Sequence, residues 1–184
     1  TILITGATGS FGSEFCRVML SETDAKLRAY SRGEHTQAAL AEALRRPERV
    51  SFILGDVRDG LHLTRAMHGC THVVHAAALK VVPKGEINTR EFVKTNVTGS
   101  ENVVDAAIAN GVSRSLLISS DKAVSPLNAY GTCKRLSEYA FLEGNHRGVT
   151  TGCKFASVRG GNIFASTGSV ARKWQVARAE GWPL

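Results

Sequence analysis

Proline is scarce, with four residues in 184, and aromatic side chains make up only 7% of the chain. No apolar run approaches the roughly 20 residues that a membrane-spanning helix needs. No secretory leader pattern is read at the start; Thr1 follows no Met and opens a strand at once, so a trimmed N-terminus is expected. The four cysteines, Cys16, Cys70, Cys133 and Cys153, form no CxxC pair and stand at no metal-ligand spacing with a histidine. They read as buried, reduced thiols of a cytoplasmic protein. The six histidines are scattered except His72 and His75, and no metal site is expected. The net charge of +7 permits an anionic partner, but the basic residues are scattered and few aromatics exist to stack bases, so no nucleic-acid partner is expected. These shortages exclude a disulfide miniprotein, a membrane protein and a low-complexity scaffold.

What the chain does have is 43% hydrophobic residues and eighteen glycines, enough apolar mass for one domain with a real core. Short β-branched runs alternate with segments of helical period. Strands are expected at 1–5, 26–31, 50–54, 72–76, 115–119 and 151–158. Helices are expected at 10–20, 34–44, 61–67, 130–143 and 170–179. The clearest helix is expected to carry Val93, Val97, Ser100, Val104 and Ala107 as one stripe and to stop at Asn110-Gly111. Parallel strands need crossovers and helices supply them, so the fold class is α/β, a doubly wound parallel sheet of Rossmann type.

The first strand runs into Gly6-Ala7-Thr8-Gly9-Ser10-Phe11-Gly12, which opens the first helix. Glycines at every third position allow a tight turn, close backbone approach to a pyrophosphate and tight helix packing. The helix N-terminus then offers N–H groups to the phosphates. Gly6, Thr8, Gly9, Ser10, Phe11 and Gly12 are therefore candidate cofactor contacts. After the second strand, the acidic residue that would bind a ribose 2′-hydroxyl is missing, and Tyr30-Ser31-Arg32 stands there instead. Arg32 suits a 2′-phosphate, so NADP is expected over NAD, with NAD possible. Asp56 and Val57, after the third strand, are placed for the adenine amino group and ring. Ala76, Ala77 and Ala78, after the fourth, leave room for a dinucleotide. Tyr130 and Lys134 are four apart on a helix and face one way. An ammonium beside a phenol favours phenolate, so Tyr130 is a candidate base and Lys134 its partner and a nicotinamide-ribose ligand. Ser119, Ser120, Asp121 and Lys122 gather at the end of the fifth strand, where open α/β sheets bind ligands.

On these residues the chain resembles the extended short-chain dehydrogenase/reductases. More narrowly, it resembles the UDP-N-acetylglucosamine 4,6-dehydratases of the polysaccharide-biosynthesis group. The matching segments are TILITGATGSFG, YSR at 30–32, GDVRD at 55–59, HAAALK at 75–80 with Pro83 and Glu86, KTNVTGSENV at 94–103, SSDKAVSPLNAYGTCK at 119–134 and VRGGN at 158–162. The resemblance implies that Tyr130 takes the O4 proton of a UDP-sugar, Lys122 is the base at C5 and Asp121 the acid for O6. It also implies that Ser119 and Ser120 bond the sugar near O4, that Lys80 and Asn96 stand around cofactor and active site, and that Asn162 meets the substrate diphosphate. A homo-oligomer pairing through helices near 88–109 and 128–143 is implied as well. The chain departs from the family's pattern at Gly160, where Tyr is usual, at Ala165, where Gly is usual, and at Lys84-Gly85, where small apolar residues are usual. Family members continue into a smaller substrate domain, which is expected to be largely absent from these 184 residues. A nucleotide-sugar 4-epimerase, or a dinucleotide-binding module with little catalysis, are the alternatives.

Overall fold

A computed structural model describes residues 1–164, 166 and 169–182. The departure noted at Ala165 lies outside the described residues. Six strands make one parallel sheet in the order β3-β2-β1-β4-β5-β6. They are β1 (Ile2–Thr5), β2 (Leu27–Ser31), β3 (Val50–Leu54), β4 (His72–His75), β5 (Arg114–Ser120) and β6 (Lys154–Gly160). The helices are α1 (Ser10–Glu22), α2 (Glu34–Leu44), α3 (Gly60–Ala66), α4 (Val82–Ile87), α5 (Thr89–Phe92), α6 (Gly99–Ala109), α7 (Ala129–Arg147) and α8 (Val170–Glu180).

A parallel sheet is stable only with both faces covered, and its central strands β1 and β4 are short, largely buried runs. Neighbours in each run face opposite sides. Leu3 and Val73 join Leu63, Met67, Val103, Val104 and Phe141 on the face covered by α3, α6 and α7. Ile4 and Val74 join Cys16, Leu27 and Val50 on the other, against Phe11, Phe15 and Met19 of α1. All four cysteines are buried and none forms a disulfide. Burial pushes the Cys16 thiol up to about 11. The sheet order reverses between β1 and β4, so the carboxyl ends of those two strands flank a crevice, the usual ligand position in such sheets.

One expectation needs correcting. The helix expected to run unbroken to Asn110 is interrupted by a π-helical segment at Val93–Thr98 between α5 and α6. The wider turn rotates the face, so Thr95 and Asn96 are buried while Val93 is 40% exposed. Ser100, Val104 and Ala107 remain inward as expected. The cause is polar. The Asn96 side chain accepts a hydrogen bond from the Leu79 N–H at 2.8 Å and donates to the Leu79 carbonyl at 2.9 Å. Its own carbonyl accepts from the Ser100 and Ser137 hydroxyls at 2.6 and 2.7 Å. An i→i+5 turn of this kind marks functional sites in many helices. Two further differences are a short α4, and a 3₁₀ turn at Asp121–Ala123 directly after β5.

Candidate active site

The loop between β1 and α1 is shaped by two glycines that no other residue replaces. Gly6 has φ +68°, and a Cβ there would meet the Ala77 nitrogen at 2.7 Å. A Cβ on Gly12 would meet the Gly6 carbonyl oxygen at 2.4 Å, because α1 is pressed against the loop. The Gly6 N–H donates to the Tyr30 carbonyl at 2.8 Å, which ties the loop to β2. Gly9 caps α1 without a side-chain hydrogen bond, and the partial positive charge of the helix N-terminus faces the cleft.

Two clefts open along the carboxyl edge of the sheet and share Gly6, Gly9, Ala76 and Ala78. One, about 610 Å³, is lined by Thr8, Tyr30, Ser31, Arg32, Gly33, Gly55, Val57, Ala77 and Thr95 as well. The other, about 650 Å³, takes in Ser10, Phe11, Gly12, Lys80, Ser119, Ser120, Lys122, Tyr130, Lys134 and Asn162. A dinucleotide fits this pair of spaces. The close backbone approach at Gly6 and Gly12 is what a pyrophosphate requires, and the smallest residues lie where the two clefts join.

At the far end of the first cleft, Arg32 is half exposed, its guanidinium 3.8 Å from an Asp56 carboxylate oxygen. Asp56 is engaged more closely by Arg58, with Nη2 at 2.6 Å, Nε at 2.9 Å and the backbone N–H at 3.0 Å. Burial pushes the Asp56 carboxyl up, and the Arg58 bonds and charge, with Arg32, more than offset it, so it lies below the ordinary value. Asp56 thus stands at the rim, in an ion-pair chain that continues from Arg58 to Glu91 at 2.9 Å. Val57 forms the floor beside it.

At the chemical end, β5 delivers Ser119 and Ser120, and the 3₁₀ turn carries Asp121 and Lys122. Asp121 Oδ1 accepts from the Ser120 hydroxyl at 2.8 Å, from the Lys122 N–H at 2.9 Å and from the Lys122 ammonium at 3.1 Å. The Ser120 bond first, then those from Lys122, hold its carboxyl below the ordinary range. The Lys122 ammonium also donates to Asn162 Oδ1 at 3.0 Å. Asn128 caps α7 by accepting from the Gly131 N–H at 2.9 Å, which fixes the helix start just before Tyr130. Gly131 itself lies where a Cβ would be 2.5 Å from the Lys122 carbonyl, so α7 packs directly against the turn; Lys122 lines the cleft, and Asp121 stands beside it, outside the lining.

The expected coupling of Lys134 to Tyr130 needs correcting for this arrangement. Burial raises the Tyr130 phenol; a hydrogen bond with Ser120 lowers it and the Asp121 charge raises it further, for a net rise. Lys134 is buried and its ammonium donates to the Ile118 carbonyl at 2.6 Å. Burial brings it down to about 8, and the Glu138 carboxylate opposes that fall. The ammonium is therefore drawn onto the β5 backbone rather than onto the phenol. Asn96 lines neither cleft; its amide holds the Leu79 backbone from behind, while its neighbour Thr95 reaches the wall. Lys80 donates to the Ser166 hydroxyl at 3.4 Å.

Two further polar groups stand beside the site without belonging to a sequence motif. Glu138, on α7, accepts from Ser119 at 2.5 Å and from Arg159 of β6 at 2.9 and 2.7 Å. His75 is fully enclosed, with Nδ1 2.7 Å from the Thr5 hydroxyl and Nε2 3.1 Å from the Ser100 hydroxyl. Burial, with help from the Lys134 charge, pushes it down to about 3. A polar residue inside an apolar strand run is the signal that points to His75. Nothing local to the sequence signals the Glu138–Arg159 pair. Among the described residues no cluster of three or more His, Cys, Asp or Glu could hold a metal, and no helix is long and apolar enough to cross a membrane.

Residues 2–184 match the family described as "Polysaccharide biosynthesis protein". Among curated proteins, the chain is 40% identical over 181 residues to a UDP-N-acetylglucosamine 4,6-dehydratase (inverting) of Campylobacter jejuni, covering 98% of this chain and 54% of that protein. It is 43% identical over 177 residues to a UDP-glucose 4-epimerase of Rickettsia rickettsii, covering 92% and 51%. Among solved structures it resembles Pen from Bacillus thuringiensis, with TM-score 0.94 and 35% identity over 97% of this chain and 55% of that one. The chain thus spans about half the length of the curated relatives it matches.

Proposed function

The chain belongs to the polysaccharide biosynthesis protein family, and on that premise we propose that it is the dinucleotide-binding domain of a nucleotide-sugar 4,6-dehydratase acting on UDP-N-acetylglucosamine or a similar UDP-sugar. The observation that carries this reading is the Asp121–Lys122 pair, 3.1 Å apart, at the end of the cleft that holds Tyr130 and Lys134. Oxidation at C4 alone needs only Tyr130 and Lys134. Elimination of water across C5 and C6 needs a further base and a further acid.

A bound nicotinamide dinucleotide supplies reversible oxidation, at C4 first and in reverse at C6. Gly6, Thr8, Gly9, Ser10, Phe11 and Gly12 hold its pyrophosphate, with Ala76, Ala77 and Ala78 beneath. Arg32 favours the 2′-phosphate of NADP, and Asp56 and Val57 border the adenine. Tyr130 takes the O4 proton, Ser119 and Ser120 orient the sugar, and Lys134 holds the nicotinamide ribose. The 4-ketone makes the C5 proton acidic. Passing one proton from the Lys122 ammonium to Asp121 across their contact yields a neutral amine and a neutral acid together. Lys122 then takes the C5 proton and Asp121 gives one to the departing O6 hydroxyl. Lys80 and Asn162 border the space for the substrate. Because Asp121 lies below the ordinary carboxylate range, this proton shift needs the drier site that bound substrate creates.

The remaining length of the relatives supports a second, substrate-binding part beyond these residues. Leu136, Tyr139 and Leu142 on the outer face of α7 support pairing of two copies through that helix and α6. The substrate class supports action in the cytoplasm. A 4-epimerase is the second reading, favoured by the identity to the Rickettsia protein. Incubating the whole protein with UDP-N-acetylglucosamine and NADP+ separates the two by mass. Loss of one water supports the dehydratase, and an isomer of unchanged mass supports the epimerase.

A further inference from the structure

Lys134 is a charged group placed almost wholly out of water, with one hydrogen-bond acceptor, the Ile118 carbonyl. A buried ammonium with so little compensation tends to give up its proton. One helical turn further along α7 stands Glu138, itself only 9% exposed. Residues four apart on a helix lie on one face, so the carboxylate is the counter-charge available to Lys134. Glu138 does not act alone. The Arg159 guanidinium from β6 grips it in a two-point fork, and the Ser119 hydroxyl from the end of β5 donates to it. Both bonds to charged partners are short and directional.

We propose that Glu138 is a positioning residue for the site. Clamped by Arg159 and Ser119, it keeps the Lys134 ammonium charged and locks the end of β5 to α7. The proposal rests on the reading that Lys134 serves the dinucleotide and Tyr130. Arg159 has a balancing part. Its positive charge neutralises some of Glu138, and so limits how firmly Lys134 holds its proton. The charged and titratable groups around Lys134 include Tyr130 and Glu138 on its own helix, His75 from β4, Lys122 in the lining of the same cleft and, through Glu138, Arg159 from β6 and Arg135 from α7. His75 stays uncharged at neutral pH, so Glu138 carries the attraction.

The test is the titration of the Lys134 Nζ in the whole protein, followed by NMR without cofactor or sugar. Glu138→Gln keeps the shape and most hydrogen bonds but removes the charge. Its Lys134 midpoint should fall by about one pH unit or more, a tenfold loss of ammonium above that midpoint. Arg159→Gln should move the midpoint the other way, upward, because it frees the Glu138 charge. Opposite displacements are not produced by general loosening of the site, which moves both variants alike. If neither midpoint moves, or both move together, the proposal is wrong. Arg159 is 43% exposed at its side chain, so Arg159→Gln decides alone if Glu138→Gln does not fold. An upward shift then supports the proposal, and none or a downward one overturns it. The functional reading fails separately, by absence of NADP+ or NAD+ binding in the wild-type protein, and that leaves the titration intact.

Discussion

The Lys122 ammonium lies 3.1 Å from an Asp121 carboxylate oxygen, on consecutive residues of a single 3₁₀ turn. A base and an acid that share one proton at this distance can be primed together. Lys122→Ala should therefore abolish release of water, by about 10²–10⁴-fold. Exchange of the C4 hydrogen with cofactor should persist, because Tyr130 and Lys134 are untouched. Rapid-quench mass analysis of the sugar checks both. Dehydration at a near-normal rate in Lys122→Ala contradicts the assignment.

Arg32 lines the cleft beside Ser31 and Gly33 with its guanidinium half exposed. A charged hydrogen bond to a phosphate contributes about 1.5–3 kcal/mol. Arg32→Ala should thus weaken NADP+ by about tenfold or more and leave NAD+ nearly unchanged. Titration of both dinucleotides reads this directly. Equal losses for the two show that Arg32 does not read the 2′-phosphate.

Gly12→Ala should be costly despite the helix propensity of alanine. The new methyl would press on the Gly6 carbonyl oxygen and the Ala7 Cα at 2.4 and 2.7 Å, both backbone atoms that cannot swing aside. Overpacking of this kind costs about 1–3 kcal/mol. Thermal unfolding should show a lower Tm, with dinucleotide affinity reduced in step.

His75 makes stability fall with acid. Its folded value is about 3 against an ordinary 6.5, so the unfolded chain takes up the proton first as pH drops. Stability is then fully present above 6.5 and is lost as pH falls toward 3, by at most about 1.4 kcal/mol per pH unit from this group. Urea midpoints between pH 7 and 5, above the range where most carboxylates titrate, should slope downward with acid. The slope should flatten in His75→Asn. An unchanged slope in the variant contradicts the role of His75.

The sheet is legible in the sequence because most strands carry a short apolar run set off from segments of helical period, and α2 and β3 fall where their periodicity ends. The glycine loop is legible for the same local reason. The π segment is not, because it exists to satisfy Asn96 against Leu79, seventeen residues away in the chain. Nor is the Tyr130 phenol, whose expected fall turns on where a buried ammonium points. Four-residue spacing on α7 places Lys134 on the right face, but only the fold sets the Ile118 carbonyl within 2.6 Å of it. Glu138 reads as an ordinary surface acid until β6 brings Arg159 to it.

In the proposed dehydration, one hydrogen leaves C4 and returns at C6 while Lys122 and Asp121 expel water. UDP-N-acetylglucosamine carrying deuterium at C4 tests it most directly, with the whole protein, NADP+ and mass and NMR analysis of the product. The expected product is lighter by one water and retains the deuterium, now at C6. A product of unchanged mass with inverted C4, or a dehydrated product whose C6 carries only solvent hydrogen, would contradict it.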